Sequence, residues 1–589
     1  MVNMGVLRFF RWLVSKHPDC LIRLHVKTDE TGKIKDKYKL CETAKLKGIK
    51  IDWVEYDLNS IFHPVAAELH PVKPPVISLR HKRKPLPPVP EKPEQVIFSK
   101  ICERLEDMRV ILGPTKGLCF AVDGTAGVSK CAQQKKRRFK TAADKNKNTE
   151  GQKTDWDSTK ISCGTAWMER LNNHIDAFIQ EQLRSNISWK SFEAIFSSHR
   201  VHGEGEHAVL KHMKQNPKLS YGVISPDADV IFLAAGLHNP NIYIFRENIF
   251  DDIDGEFFLV HVGRFRECII AEIGMSHEKD QSKLNRCIED FILYLFSVGN
   301  DFLPPITSLN IANDGIESLF QAYKRIITTS GFMSERLSNG QYQLRKEGMR
   351  GFMRELATRE DEMLVYNYLT NKARKADSLM MKHISISNEA KESKNKDNLI
   401  ANDIIFNFEE YKKDYYALKF HGVDPKIVAH EYLKGMTFVL RYYLDSIPSW
   451  NWSYPFMYAP LFSELSLYLE SFDFAFVFPP SVPFSPFEQL LAILPLQSAH
   501  LLPEPLRPLL TSPDSPIADF YPIEFEVDLE GKKNEYEGVI LLPHVDPERI
   551  SKAFELVKDG LSKEDVERNK TGPIFAYRMD QGHVMKAPI

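Results

Sequence analysis

Short apolar segments with strand character alternate with helical segments in the first half of the 589-residue sequence. Brief apolar runs rich in β-branched and aromatic residues are typical of buried strands, and apolar residues recurring every three or four positions indicate amphipathic helices. This alternation predicts an α/β fold with a mainly parallel central sheet flanked by helices. The predicted strands are Ile51–Tyr56, Leu118–Val122, Tyr221–Ser225 and Asn241–Phe245, and the predicted helices are Thr165–Leu183, Gly205–Gln215 and Cys287–Ser297.

Composition narrows the class of protein further. The net charge of −2 does not exclude nucleic acid, because binding requires a local basic surface rather than a basic chain. The eight cysteines include no CxxC pair, which predicts reduced thiols in an intracellular protein and argues against a zinc knuckle. The longest apolar runs are too short to cross a bilayer, so no membrane partner is expected. Arg8 and Arg11 interrupt the apolar N-terminus, which predicts an amphipathic helix rather than a secretory signal.

Irregular composition at three places predicts the domain organisation. A proline-rich loop at 71–95 contains the basic run Arg80–Lys84, which fits a nuclear-import patch, and 140–159 is predicted to be a polar inserted loop. Residues 376–403, rich in Lys, Glu, Asn and Ser, are predicted to be a linker. The expected organisation is a core at 1–375 and a second region at 404–589, whose architecture the mixed pattern does not reveal.

Acidic residues follow the strongly apolar segments, where a parallel sheet would bring them together. Ligands of open α/β sheets bind outside the carboxyl ends of the strands. A single acid there is commonly a turn residue or a helix cap, and a DxD pair is common on surfaces. A set of acids would repel one another unless cations held them, and oxygen ligands suit Mg²⁺ or Mn²⁺. The set consists of Asp57, Asp123, Glu204, Glu206, Asp227, Asp229 and Asp301.

A basic stretch follows the second of these acids. Between Asp123 and Phe139 the sequence carries lysines, arginines and two adjacent glutamines. An acid that can bind a metal, beside cations and amides that can bind a phosphate, indicates chemistry on phosphate esters. The alternative is an ordinary basic helix exposed to solvent.

Long motifs in a fixed order resemble those of one known family. They are Met4–Leu13, Asp57–Pro64, Asp123–Phe139, Gly203–His207, Asp227–Asp229, Val298–Pro304, Pro448–Pro460, Ser515–Pro522 and Asp528–Lys533. Together they resemble the Xrn-type 5′→3′ exoribonucleases. This resemblance implies a nuclease core of the PIN and flap-endonuclease-like class, with a mixed second conserved region packed against it and supporting the active site.

The resemblance also implies roles for individual residues. The seven acids would bind two Mg²⁺ (or Mn²⁺) ions and make the protein an active, processive enzyme that releases 5′-mononucleotides. The substrate would be single-stranded RNA with a 5′-monophosphate, and a protein activator could bind the second region. The implied 5′-phosphate pocket consists of Lys130, Gln134, Arg137 and Arg138, and the implied base-stacking residues are His63 with Trp450 or Trp452.

Some residues depart from the family pattern, and two other functions are possible alternatives. His202, Ala208 and Pro305 stand where the family has other residues, and three residues precede Met4, which leaves the true start open. The basic loop and the spacing from Met4 to Asp57 favour the nuclear branch over the cytoplasmic one. The alternatives are a structure-specific 5′ flap DNA nuclease and a catalytically silent RNA-binding scaffold.

Overall fold

The structure is a computed structural model and describes residues 9–25, 48–70, 92–147, 156–247, 256–370, 377–388, 400–529 and 538–589. It contains two compact units, which we call the sheet unit and the helical unit. The sheet unit comprises residues 19–263, 482–523 and 544–589, and the helical unit comprises 1–18, 264–481 and 524–543. Because both units combine distant segments, neither is one continuous range. The division into 1–375, 376–403 and 404–589 stays a prediction about the linear organisation.

The strands of the described residues are numbered in chain order. They are β1 Leu21–His25, β2 Trp53–Asp57, β3 Gly117–Ala121, β4 Glu193–Ser197, β5 Tyr221–Ile224, β6 Ile242–Glu247, β7 Glu256–His261, β8 Ser334–Arg336, β9 Tyr342–Leu344, β10 Ile384–Ile386, β11 Ile404–Phe406, β12 Val527–Asp528, β13 Val539–Ile540, β14 Phe575–Asp580 and β15 His583–Pro588.

The α-helices are numbered in the same way. They are α1 Phe9–Lys16, α2 Asn59–Leu69, α3 Glu94–Leu112, α4 Val128–Lys147, α5 Ala166–Ser185, α6 Gly205–Gln215, α7 Asp229–Gly236, α8 Val262–Ile273, α9 Gln281–Leu295, α10 Gly315–Ile327, α11 Lys346–Ala357, α12 Glu360–Thr370, α13 Ser378–His383, α14 Phe408–Phe420, α15 Pro425–Leu444, α16 Phe462–Tyr468, α17 Pro486–Ile493, α18 Arg507–Thr511, α19 Pro547–Glu555 and α20 Lys563–Arg568.

A nine-stranded sheet forms the centre of the sheet unit, in the order β1-β7-β6-β5-β2-β3-β4-β14-β15. The five strands from β6 to β4 are parallel, and antiparallel strands flank them on both sides. The expectation of a mainly parallel sheet flanked by helices is confirmed. Parallel pairing places the carboxyl ends of β2, β3 and β5 at one edge, as the functional argument requires.

The apolar core of the sheet unit lies between this sheet and its helices. Fully buried residues from β2, β3, α3 and α5 pack together in it, and the far C-terminal strand β14 contributes Tyr577. The hydroxyl of Tyr577 donates a hydrogen bond to Asp176 on α5 at 2.6 Å. Strand β14 therefore extends the central sheet next to β4 and fills part of its core.

The helical unit consists mainly of α1 and the helices from α8 to α16, with the short antiparallel pairs β8–β9, β10–β11 and β12–β13. Aromatic residues of α14, such as Tyr411, Tyr415 and Phe420, pack in one of its buried clusters. The aromatic residues, whose mixed pattern did not reveal the architecture, thus form the core between short helices.

Regular elements lie within two of the segments that were predicted to be irregular. Helix α4 continues through 140–147, within the predicted polar loop, because Ala and Lys are strong helix formers without an apolar stripe. Helix α13 and strand β10 lie within the predicted linker 376–403, and β10 pairs with β11. The predicted proline-rich loop lies outside the described residues up to 91, and α3 begins at Glu94 within its range.

Candidate active site

Asp57 and Asp123 stand at the carboxyl ends of neighbouring parallel strands. Asp57 is the last residue of β2 and pairs in register with Ala121, the last residue of β3. Asp123 follows β3 by two residues, and its amide donates a hydrogen bond to the Asn59 side chain at 3.3 Å. The sheet therefore brings together two carboxylates that are 66 positions apart in the sequence.

The first turn of α6 brings Glu204 and Glu206 to the same edge. The Gly205 amide donates to Asp123 Oδ1 at 2.8 Å, which fixes the start of the helix against the end of β3. A Cβ atom at Gly205 would lie 2.9 Å from the carbonyl oxygen of Ala121, so this approach requires glycine. The carboxylates of Glu204 and Glu206 and the imidazole of His207 offer ligand atoms within 4.8 Å of one another.

Ser225 connects Asp57 with the Asp227–Asp229 pair. Its hydroxyl donates to Asp57 Oδ2 at 3.0 Å and accepts from the Asp227 amide at 3.2 Å. The Asp227 carboxylate in turn accepts from the amide of Asp229, the first residue of α7. Sequence reasoning missed Ser225, although a serine that ends a strand two positions before an aspartate is a recognisable turn signal.

Raised pKa values indicate that these six acids lie close enough to repel one another. Burial, followed by the charge of Asp123, raises the pKa of Asp57 to about 8. Burial and the charge of Glu204 raise the pKa of Asp123 and raise that of Glu206 well above its ordinary value. Such a set of oxygen ligands fits divalent cations, because a cation removes the repulsion that otherwise keeps protons on these groups.

The residues predicted to bind the 5′-phosphate lie along one face of α4. Lys130 Nζ lies 2.5 Å from Glu204 Oε2, and both side chains are buried, so this ion pair links the basic face to the acids. Gln134 is also buried, and its Oε1 atom has no hydrogen-bond partner among the described residues. A buried acceptor oxygen without a partner is costly unless a hydrogen-bond donor reaches it.

Two arginines and a histidine complete this group. Arg138 donates from Nη1 to Ser162 Oγ at 2.6 Å, and burial together with the charge of Arg137 lowers its pKa to about 9. Burial, followed by the charges of Arg137 and Arg138, lowers the pKa of His63 to about 3. His63 therefore faces the two arginines as a neutral imidazole. The ammonium group of Lys135, in contrast, lies over aromatic rings, and its side chain is buried in the core.

A residue far along the chain supports the loop that connects β3 to α4. Gln489 on α17 accepts a hydrogen bond from the Ala126 amide at 2.6 Å and directs its own amide at the Gly124 carbonyl, 3.5 Å away. A Cβ atom at Gly124 would clash with the Val201 carbonyl oxygen, so the loop is packed on both sides. No local sequence signal marks Gln489, because the contact spans more than 360 residues.

The remaining predicted residues belong to the helical unit. Asp301 is half-buried in the turn after α9, where Asn300 accepts hydrogen bonds from the amides of Phe302 and Leu303. Trp450 is half-buried, and its amide donates to a serine hydroxyl. The ring of Trp452 packs against Phe438 and Phe478 within the unit, at centroid distances of 4.6 and 5.7 Å. The sheet unit thus collects six of the seven acids.

Comparison with known proteins identifies the family. Residues 4–248 match the profile described as "XRN 5′-3′ exonuclease N-terminus", and residues 281–404 and 365–578 match the "Xrn1 helical domain". The 5′-3′ exoribonuclease 2 homolog of Drosophila melanogaster is 28% identical over 98% of this chain and 74% of its own length. The 5′-3′ exoribonuclease 1 of Homo sapiens is 30% identical over 96% of this chain.

The matches differ in how much of each relative they cover. The chain spans 35% of the human protein and 42% of the 5′-3′ exoribonuclease 1 of Saccharomyces cerevisiae, to which it is 27% identical. Among the described residues, no helix is long and apolar enough to cross a membrane. Both family profiles match in order and together cover most of the sequence, so the chain belongs to the Xrn-type 5′→3′ exonuclease family, a family that uses divalent metal ions.

Proposed function

We propose that this chain is a processive 5′→3′ exoribonuclease that hydrolyses 5′-monophosphorylated single-stranded RNA to 5′-mononucleotides. One observation carries the proposal. A crowded carboxylate cluster is joined through the Lys130–Glu204 ion pair to the helix face of α4 that carries Arg137 and Arg138. A metal site beside an anion site is the arrangement that cleavage near a terminal phosphate requires.

The carboxylates supply the ligands for the metal ions. We propose that seven acids bind two Mg²⁺ ions: Asp57, Asp123, Glu204, Glu206, Asp227, Asp229 and, on the family resemblance, Asp301. When bound, such ions activate water and stabilise the leaving oxygen in phosphodiester hydrolysis. The protein contributes by holding the ligands in place before metal arrives, through the Ser225 hydroxyl and the Gly205 amide.

The basic face of α4 selects the end of the RNA. Arg137 and Arg138 supply charge-assisted hydrogen bonds to a terminal phosphate, Lys130 adds a cation, and the amide of Gln134 adds a neutral donor. A 5′-hydroxyl lacks the charge that these groups bind. A triphosphate or cap brings more charge and bulk than a site of four side chains accommodates. The enzyme therefore requires a free 5′-monophosphate.

Base recognition relies on stacking and is therefore insensitive to sequence. His63 is neutral at physiological pH because of its low pKa, so its imidazole stacks on the leading base without adding charge. A tryptophan, Trp450 or Trp452, supplies the second ring. The packing of Trp452 among Phe438 and Phe478 supports Trp450 for this role.

The cellular setting remains part of the proposal. The basic run Arg80–Lys84, outside the described residues, supports a nuclear location and with it roles in RNA processing and transcription termination; the alternative is the cytoplasm. A protein activator bound to the second region is proposed from the family resemblance. The division into 1–375, 376–403 and 404–589 is also retained as a proposal.

The decisive experiment is a time course on end-labelled RNA that carries a 5′-monophosphate, a 5′-triphosphate or a 5′-hydroxyl, each with Mg²⁺ or with EDTA. We expect mononucleotide release only from the monophosphorylated RNA in Mg²⁺. A labelled 5′ flap DNA in parallel tests the alternative nuclease. Preferential cleavage of the flap, or tight RNA binding without any Mg²⁺-dependent product, would replace the proposal with one of its alternatives.

A further inference from the structure

A second group of potential metal ligands lies inside the sheet unit and contains softer atoms than the acidic cluster. Glu55 on β2 and Cys119 on β3 are direct partners in the parallel register, so both side chains leave the same face of the sheet. Helix α6 packs on these two strands and presents His212 to them. Ligand atoms of the three side chains lie within 4.8 Å of one another.

The burial of this group requires an explanation. Glu55 is 0%, Cys119 1% and His212 8% exposed, and the indole of Trp53 lies 4.4 Å from the imidazole. Glu55 Oε1 lies 2.8 Å from His212 Nδ1, and the Cys119 thiol is the other polar neighbour of the carboxylate, but Glu55 Oε2 is buried without a hydrogen bond of ordinary geometry. A buried carboxylate with one unsatisfied oxygen is costly in free energy. An ion pair with a protonated His212 satisfies one oxygen, whereas a cation satisfies the whole group.

We propose that Glu55, Cys119 and His212 bind one Zn²⁺ ion. Thiolate, imidazole and carboxylate are the ligands that zinc prefers, whereas Mg²⁺ prefers oxygen and is not expected to bind a thiolate. The charges also balance, because a carboxylate and a thiolate neutralise the ion and so lower the free-energy cost of burying it. Binding releases the thiol proton of Cys119 to solvent, along with any proton on His212 Nδ1. The three side chains fill three of the four positions of a tetrahedral zinc ion.

The zinc ion would connect the sheet to the helix that carries part of the active site. His212 and Glu206 lie on the same helix, α6, while Glu55 precedes Asp57 by two positions on β2. Coordination of His212 to an ion held by β2 and β3 fixes α6 against both strands. The ion would therefore stabilise the framework on which the catalytic carboxylates are placed.

The test is the metal content of the full chain, purified without chelator or metal-affinity resin and dialysed against Mg²⁺. Elemental analysis should find about one zinc per chain in the wild type. Cys119→Ser and His212→Gln should lose it. Cys163→Ser is the matched control, because Cys163 is equally buried in the sheet unit but contacts the His199 carbonyl. Asp227→Asn should retain zinc, which separates this site from the acidic cluster.

Cobalt substitution provides a second measurement that does not depend on the folding of any variant. Co²⁺ loaded into the wild-type protein should give a thiolate-to-cobalt charge-transfer band. Folded wild type that shows neither zinc nor this band after loading would overturn the proposal and leave Glu55 and His212 as a buried ion pair. Zinc retained at the wild-type level by both ligand variants would overturn it equally.

Discussion

Gln489 provides the sharpest test of how a distant segment supports the active site. Replacing it with leucine keeps the volume of the side chain but removes the acceptor of the Ala126 amide and the donor to the Gly124 carbonyl. Gln489 is 2% exposed, so water does not replace the lost acceptor. The loop between Asp123 and α4 would then contain a buried, unsatisfied N–H group.

The magnitude follows from that unsatisfied group. Leaving a buried donor without a partner costs about 1–3 kcal/mol, and the long 3.5 Å contact adds little. The sheet unit should lose about that much free energy of unfolding. Activity should fall further, by about 100-fold in kcat/KM, if the loop shifts by about 1 Å, because Asp123 and Lys130 flank it.

Urea denaturation and single-turnover cleavage of 5′-monophosphorylated RNA measure the two effects. Gln497→Leu is the control, because Gln497 is an exposed glutamine of the same chain segment and should change neither quantity. A Gln489→Leu protein with wild-type stability and wild-type kcat/KM would refute the reasoning. A loss of stability without any loss of activity would refute the link between Gln489 and the catalytic loop.

Three further predictions address the acids and the basic face. Asp229→Asn should lower turnover at least about 100-fold, because it removes a metal ligand. It should not destabilise the metal-free protein, because it removes one of several charges that repel one another. A large loss of the free energy of unfolding, measured by urea denaturation in EDTA, would contradict this. Arg137→Gln should reduce the preference for a 5′-phosphate over a 5′-hydroxyl by about 10- to 100-fold. The control Arg184→Gln, on the exposed face of α5, should leave this preference unchanged. Competition between the two RNAs measures the preference. The folded pKa of Asp57, about 8, lies above its ordinary value of 3.8, so its contribution to stability is present at low pH and is lost as pH rises through about 8. Urea midpoints in EDTA should therefore fall between about pH 4 and about pH 8, and Mg²⁺ or Asp57→Asn should flatten that fall. A flat profile in EDTA would count against the crowding of the acids.

Local sequence signals were sufficient for the central strands and for the acids that follow them. The segments around Val54, Phe120 and Val223 are continuously apolar because strands of a parallel sheet are buried on both faces. Such short apolar runs were therefore recognisable as strands. The acids at their ends were recognisable because parallel pairing places carboxyl ends together regardless of loop length. The C-terminal end of α4 was not recognisable, because a polar helix and a polar loop have similar compositions.

The sequence by itself determined four of the five parallel strands, β2, β3, β5 and β6, the carboxylates that follow three of them and, through long ordered motifs, the family. Only the tertiary structure decided that Gln489 supports the loop after Asp123, that Lys130 pairs with Glu204, and that Glu55, Cys119 and His212 meet under α6. The physical reason is the range of the interactions. Hydrophobic periodicity acts over neighbouring residues, whereas a buried hydrogen bond or ion pair joins whichever segments the packed core brings within about 3 Å.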